Sequence, residues 1–161
     1  MGAGSNEHLS RKLSPHFTLD ELIHSDKAIE LGIDNTPPVE VLSGLILLCE
    51  KILEPVRAHY GKPFRPNSGY RSPALNKAIP GSSKTSQHML GQAVDFEVPG
   101  VSNYDLACWV KDNLIFDQLI LENYTSGIPS SGWVHVSLKP DQNRMQCLTI
   151  KGKNKQQGLI K

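Results

Sequence analysis

The amino-acid sequence predicts an α+β fold, a small antiparallel sheet packed with helices. Three observations carry this. A long apolar stripe at helical spacing occupies the first half, several short strand patterns gather in the second, and a turn-rich stretch lies between them. The 161 residues suit one domain with a real core.

Taken in order, Thr18 followed by Glu21 reads as a capping box for a short helix around "LDELIHS". "SDKAIELGID" then turns at Gly32. In "NTPPVEVLSGLILLCEKILEPVRAHYG", Leu42, Leu45, Cys49, Ile52, Leu53 and Val56 form one apolar stripe. Thr36 is the expected cap of this helix, Pro37 and Pro38 its first turn, and Gly61 its end. Pro55 has no N–H to donate, so a kink is expected near Glu54. "KPFRPNSGYRSPALNKAIPGSSKTSQH" has the composition of turns and loops, and long loops in compact domains are often functional. "QAVDFEV" alternates as a strand, with Val94, Phe96 and Val98 on one face and Ala93, Asp95 and Glu97 on the other. Ser102 and Asp105 cap a helix over "SNYDLACWVKDNL". "FDQLILE", "GWVHVSL" and "QCLTIK" read as further strands.

Residues 1–14 are expected to be a disordered leader or tag, 15–150 the domain, and 151–161 a polar tail. "MGAGSNEHLSRK" lacks the apolar core of a secretion signal, and no apolar run approaches the length of a bilayer. Charged residues make up 20% and the formal net charge is +1. That balance argues against capture of nucleic acid or an anionic membrane, and a monomer is expected. Cys49, Cys108 and Cys147 are odd in number and widely spaced. They form neither a disulfide framework nor a CxxC zinc pattern, and they read as buried thiols.

The chemistry concentrates in "SQHMLGQAVDF". His88 offers a neutral imidazole and Asp95 a carboxylate, both good zinc ligands. Gly91 adopts positive φ readily, so the chain can reverse between them. In "GWVHVS", His135 shares a strand face with Trp133 and Ser137, opposite the apolar Val134, Val136 and Leu138. It would complete a set of three protein ligands, which leaves a fourth position for water, as in catalytic zinc sites.

These residues carry a resemblance. "SGYRS…SQHMLGQAVDF…LILE…GWVHVS" is similar to the zinc D-Ala-D-Ala carboxypeptidases and their phage L-alanyl-D-glutamate endolysin relatives. "HFTLDELIHSDKAIELGIDNTPP" and "ILEPVRAHYGKPFRPNSGYRSPALN" resemble the short, phage-type branch. The similarity runs from His16 to Ile150. It implies a hedgehog/D-Ala-D-Ala-peptidase-like fold, a Zn2+ cofactor held by His88, Asp95 and His135, and a peptidoglycan stem peptide as substrate. By the same resemblance Arg71 would hold the oxyanion, with Ser86 and Trp133 contacting substrate. Many relatives place an acidic general base three residues before the second His. Here Gly132 stands at that position. The resembled branch has Glu where this chain has Glu122, which becomes the expected base, with Glu97 as runner-up. The reading is a zinc metallopeptidase, D,D-carboxypeptidase or endopeptidase, made in the cytoplasm and acting on the cell wall in the phage or prophage manner. The alternatives are a non-catalytic zinc-containing binding module of the same fold and a structural wall module without metal.

Overall fold

A computed structural model describes residues 11–161. Most of the expected leader therefore lies outside the described residues, but its last part does not. Strand β1 (Lys12–Ser14) pairs antiparallel with β2 (Phe17–Thr18). Helix α1 (Leu19–Ile23) follows behind the expected capping box, both halves of which form. Helix α2 (Asp26–Leu31) ends at Gly32 with φ 66°, where the cap N–H returns to Ala28 and Ile29 carbonyls.

The long helical pattern is three consecutive pieces. Helix α3 (Val39–Leu48) runs into a π-helical turn (Cys49–Leu53) and then helix α4 (Glu54–Tyr60), which ends at Gly61 with φ 64°. Two details correct the sequence reading. The N-cap is Pro38 rather than Thr36, and it has no side-chain cap bond. The break imposed by Pro55 is taken up as a π-turn one residue earlier. There the Glu54 N–H bonds the Cys49 carbonyl, so the missing Pro55 donor falls where the ladder has already changed register.

The turn-rich stretch holds a helix that its composition concealed, α5 (Pro73–Ala78). Ser72 caps it and Pro73 opens it, a Ser-Pro start that is itself a helix signal. After a 3₁₀ turn (Gln87–Leu90) come β3 (Ala93–Phe96), helix α6 (Asn103–Asn113), β4 (Gln118–Glu122), β5 (Trp133–Ser137), β6 (Gln146–Lys151) and β7 (Asn154–Gln157). Ser102 caps α6 as expected, its hydroxyl accepting the Asp105 N–H. The expected polar tail supplies β7. The five-stranded sheet has the order β3-β5-β4-β6-β7. All its pairs are antiparallel except β4–β6, because β5 intervenes between those two in sequence and returns the chain to the same direction.

Alternation along the strands separates two faces. Val94, Phe96, Leu119, Leu121, Val134 and Val136 pack with Leu45, Leu48, Ile52, Leu53 and Val56 of the helices in one core. Asp95, Ile120, Glu122, Trp133 and His135 line a cleft on the opposite face. Of the three free cysteines, Cys49 is buried and burial pushes its thiol up to about 12, whereas Cys108 and Cys147 are half-buried. Among the described residues no helix is long and apolar enough to cross a membrane.

Asp117 ties the start of β4 to the segment before β6. Arg144 Nε and Nη2 reach its two carboxylate oxygens at 3.0 and 2.7 Å, and the Arg144 backbone N–H adds a third bond at 3.0 Å. The Arg144 bonds outweigh burial and hold the Asp117 carboxyl down at about 2 against an ordinary 3.8. A carboxyl with a depressed folded pKa stabilises the fold above its unfolded pKa and loses that contribution as pH falls through the folded one. Wild type should therefore exceed Asp117→Asn in urea midpoint above about pH 4, with the gap closing as pH falls toward about 2. A gap independent of pH would assign the effect to something other than this ion pair.

Candidate metal centre

The site starts from strand register. Asp95 of β3 lies directly opposite His135 of β5, so both side chains leave the same face of the sheet. His135 Nδ1 approaches Asp95 Oδ1 at 2.9 Å. His88 comes from the 3₁₀ turn, which begins at Ser86, whose Oγ accepts the His88 N–H at 3.2 Å, and ends at Gly91 with φ 68°. That turn is pressed against helix α3. A Cβ at Gly44 would lie 2.6 Å from the Gly91 carbonyl oxygen, and one at Gly91 would lie 2.7 Å from the Val41 carbonyl oxygen. Both glycines are thus required by the closeness of the two backbones.

His88 Nδ1 lies 2.7 Å from the Gly69 carbonyl oxygen. A carbonyl only accepts, so Nδ1 is assigned the proton and Nε2 keeps its lone pair, 3.4 Å from Asp95 Oδ2. Gly69 is fixed in turn, because a Cβ there would lie 2.2 Å from the Leu22 carbonyl oxygen. One ligand atom from each of His88, Asp95 and His135 falls within 4.8 Å of the others.

Arg71 joins them through Nη2, 3.4 Å from Asp95 Oδ2, while its Nε donates to Ser68 Oγ at 3.2 Å. Its segment is bound to both ligand-bearing elements. The Arg71 N–H bonds the His88 carbonyl at 3.1 Å, and Ser68 forms an isolated bridge with Asp95. Ser86, Arg71, Glu122 and Trp133 line the same cleft as the three donors, a space of about 790 Å³.

The electrostatics fit a divalent cation with nitrogen and oxygen ligands. Burial favours a neutral Asp95, but His88 and His135 outweigh it and hold the carboxyl well below its usual range. Burial lowers His88 more than Asp95 raises it, which leaves a neutral imidazole with a free Nε2. Burial also lowers His135, yet the hydrogen bond and charge of Asp95, with Glu122 beyond, raise it overall. An anion, a neutral imidazole and a second imidazole whose proton a cation would displace make a suitable zinc donor set.

Glu122 lies opposite Trp133 in the β4–β5 pair, two residues along and on the same face as Ile120 opposite His135. Burial, followed by the charge of Asp95, raises its carboxyl above the ordinary range. Gly132 has φ 66°, and a Cβ there would come 1.9 Å from the Glu122 carbonyl oxygen. This backbone therefore accepts no side chain at the position where many similar sequences carry their acid. Glu97 is placed differently. Its carboxylate accepts from the Asn67 and Asn103 side-chain amides, both at 3.0 Å, and it lines a neighbouring hollow. Sequence reasoning missed the Gly69 carbonyl and Ser68, although both sit in the "SGYRS" element. It also missed Lys139, Arg144 and Lys155, which line the cleft with no motif to mark them.

The family model described as Peptidase M15 matches residues 15–137. No curated protein matches the chain. The matched stretch contains all three donors, and M15 peptidases are zinc-dependent. The chain belongs to the peptidase M15 family of zinc metallopeptidases.

Proposed function

We propose that the protein hydrolyses peptide bonds in peptidoglycan stem peptides, as a D,D-carboxypeptidase or endopeptidase, with zinc held by His88, Asp95 and His135. One observation carries this reading. The three donors open into a single cleft that also holds a guanidinium and a half-buried carboxylate of raised pKa. A non-catalytic binding module of the same fold would need the donors but not Glu122.

Zinc bound at these donors would lower the pKa of its water to about 7 and polarise the scissile carbonyl. Glu122 is suited to accept a proton from that water and return it to the nitrogen of the leaving amine, since a raised carboxyl pKa lies nearer the working pH. Arg71 spends two of its five donors on Ser68 and Asp95, and as a residue lining the cleft it has donors left to meet negative charge on the carbonyl oxygen. Trp133 and Ser86 border the space where the peptide backbone would lie.

Digestion of defined muropeptides by the zinc-loaded protein, read by mass spectrometry, tests this and identifies the bond. Cleavage abolished by a chelator and restored by zinc is expected, and intact muropeptides with full zinc loading would overturn it. Within this scheme Arg71→Ala should lower turnover by about 10²–10³, the usual loss for one oxyanion donor, with zinc content retained. Arg71→Lys should restore little, because an ammonium cannot present the fixed fork. Unchanged turnover in Arg71→Ala would remove Arg71 from the reaction.

A further inference from the structure

The connection from β4 to β5, residues 123–132, is held from outside the hairpin by one buried side chain. Asn103, the first residue of helix α6, is 1% exposed. Its Nδ2 shares two protons among three acceptors, the Ser131 carbonyl at 3.0 Å, the Gly132 carbonyl at 3.1 Å and Glu97 Oε1 at 3.0 Å. Its backbone N–H donates to the Pro129 carbonyl, also at 3.0 Å. Its Oδ1 is buried with no donor among the described residues. A buried acceptor left unpaired is destabilising, so the amide is placed for what it donates to.

Those bonds fix the rung that carries Glu122. The last pair of the hairpin sets Glu122 opposite Trp133, and Gly132 adjoins it. Gly132 packs so closely there that a Cβ would meet the Glu122 carbonyl oxygen at 1.9 Å. Whatever holds the Gly132 peptide therefore holds the backbone from which the Glu122 side chain leaves. Trp133 depends on it in the same way. Its Nε1 is buried with no acceptor among the described residues, so the indole takes its place from the strand beneath it. Glu97 carries the tie onward. Its Oε2 accepts from Asn67 Nδ2 at 3.0 Å, and the Asn67 N–H donates to the Asp95 carbonyl at 2.7 Å. One amide thus joins the Glu122 end of the hairpin to the strand of Asp95.

We propose that Asn103 is a positioning residue for the reaction, which holds the Ser131 and Gly132 carbonyls and so sets Glu122 against the metal centre. The proposal rests on the peptidase reading above and deepens it. A neutral donor suits this task, because it fixes the loop without adding charge beside Glu122. Misplacing a reacting group by about 1 Å can cost about 10²-fold in rate.

Asn103→Ala removes the amide, and Asn103→Asp keeps its size but donates nothing. Either variant should lower kcat on a cleavable muropeptide by about 10–10²-fold, with KM, zinc content and circular dichroism little changed. Unchanged kcat in both would overturn the proposal. Asn103→Asp/Glu97→Gln relieves the clash of two carboxylates yet leaves the loop carbonyls without their donor, so it should stay slow. Recovery of turnover would confine Asn103 to its bond with Glu97 and overturn the proposal. In a Glu122→Gln background, Asn103→Ala should cost nothing further, since a residue that acts through Glu122 has nothing left to place. A full additional loss would show a merely structural role. The indole N–H resonances in a heteronuclear NMR spectrum supply a readout independent of turnover. The chain has two tryptophans, and Trp109, in helix α6 and stacked on His59, serves as the control. Asn103→Ala should shift the Trp133 resonance and leave that of Trp109 in place. An unmoved Trp133 resonance would overturn the tie itself. If wild type cleaves no muropeptide, the peptidase reading fails, and the Trp133 resonance still decides whether Asn103 holds this end of the hairpin.

Discussion

His88→Ala should abolish stoichiometric zinc binding while the helices remain folded. The imidazole is one of three donors, and its Nε2 is aimed by the Nδ1 bond to the Gly69 carbonyl. Removing an outer partner of a metal ligand typically costs about 10–100-fold in affinity, and removing the ligand itself should cost more. Elemental analysis after dialysis is the direct measurement, with circular dichroism as the control for folding. His135→Ala should behave alike, since it removes the donor opposite Asp95. Full occupancy in both variants would sink the assignment. Zinc should also raise the melting temperature of wild type, because a ligand that binds only the native state stabilises it, and it should leave that of His88→Ala almost unmoved.

Glu122→Gln should lower turnover by about 10²–10⁴, the range for lost general acid–base catalysis, with zinc retained. The amide keeps the size and the hydrogen bonding but accepts no proton from water. Glu97→Gln is the matched control. Two asparagine amides hold that carboxylate outside the cleft, and its substitution should leave turnover nearly intact. Loss of activity in Glu97→Gln but not in Glu122→Gln would reverse the two roles. Activity surviving both would assign proton transfer to a carboxylate other than these two.

The donor set was legible because it depends on short-range rules. Period-2 alternation puts Asp95 and His135 on polar strand faces, and Gly91, three residues past the 3₁₀ turn's His88, marks the reversal. The pairing of "LILE" with "GWVHVS" was legible too, since a single loop, residues 123–132, joins them, and the structure sets Glu122 opposite Trp133. Features set by long-range contact were not. Asn154–Gln157 is polar and exposed throughout, so no alternation betrays β7, which pairs with β6 at the edge of the sheet. The parallel β4–β6 pair joins residues about thirty apart in sequence through register rather than pattern. Helix α3 starts behind Pro38, two residues past Thr36, whose N–H donates instead to Asp34 Oδ1 at 2.9 Å in the turn before the helix. Gly132 looked like a missing acid. Only the Glu122 carbonyl lying where its Cβ would go shows that the backbone demands glycine there.

Helix α3 bears on any effort to engineer a hardier enzyme. A glycine in mid-helix is ordinarily the first candidate for replacement by alanine, a change commonly worth about 0.4–1 kcal/mol when the site tolerates it. Gly44 inverts that recipe. Its missing methyl is the space into which the turn of His88 settles, with the Gly91 oxygen 2.6 Å from where the new carbon would sit. The collision would be relieved by sliding the turn outward, so the damage would surface first as a misaimed imidazole and a leaking metal, and only then as a lower melting point. Thermostability screens that score melting alone would pass over the defect, and libraries for this scaffold are better built with Gly44, Gly69 and Gly91 held constant.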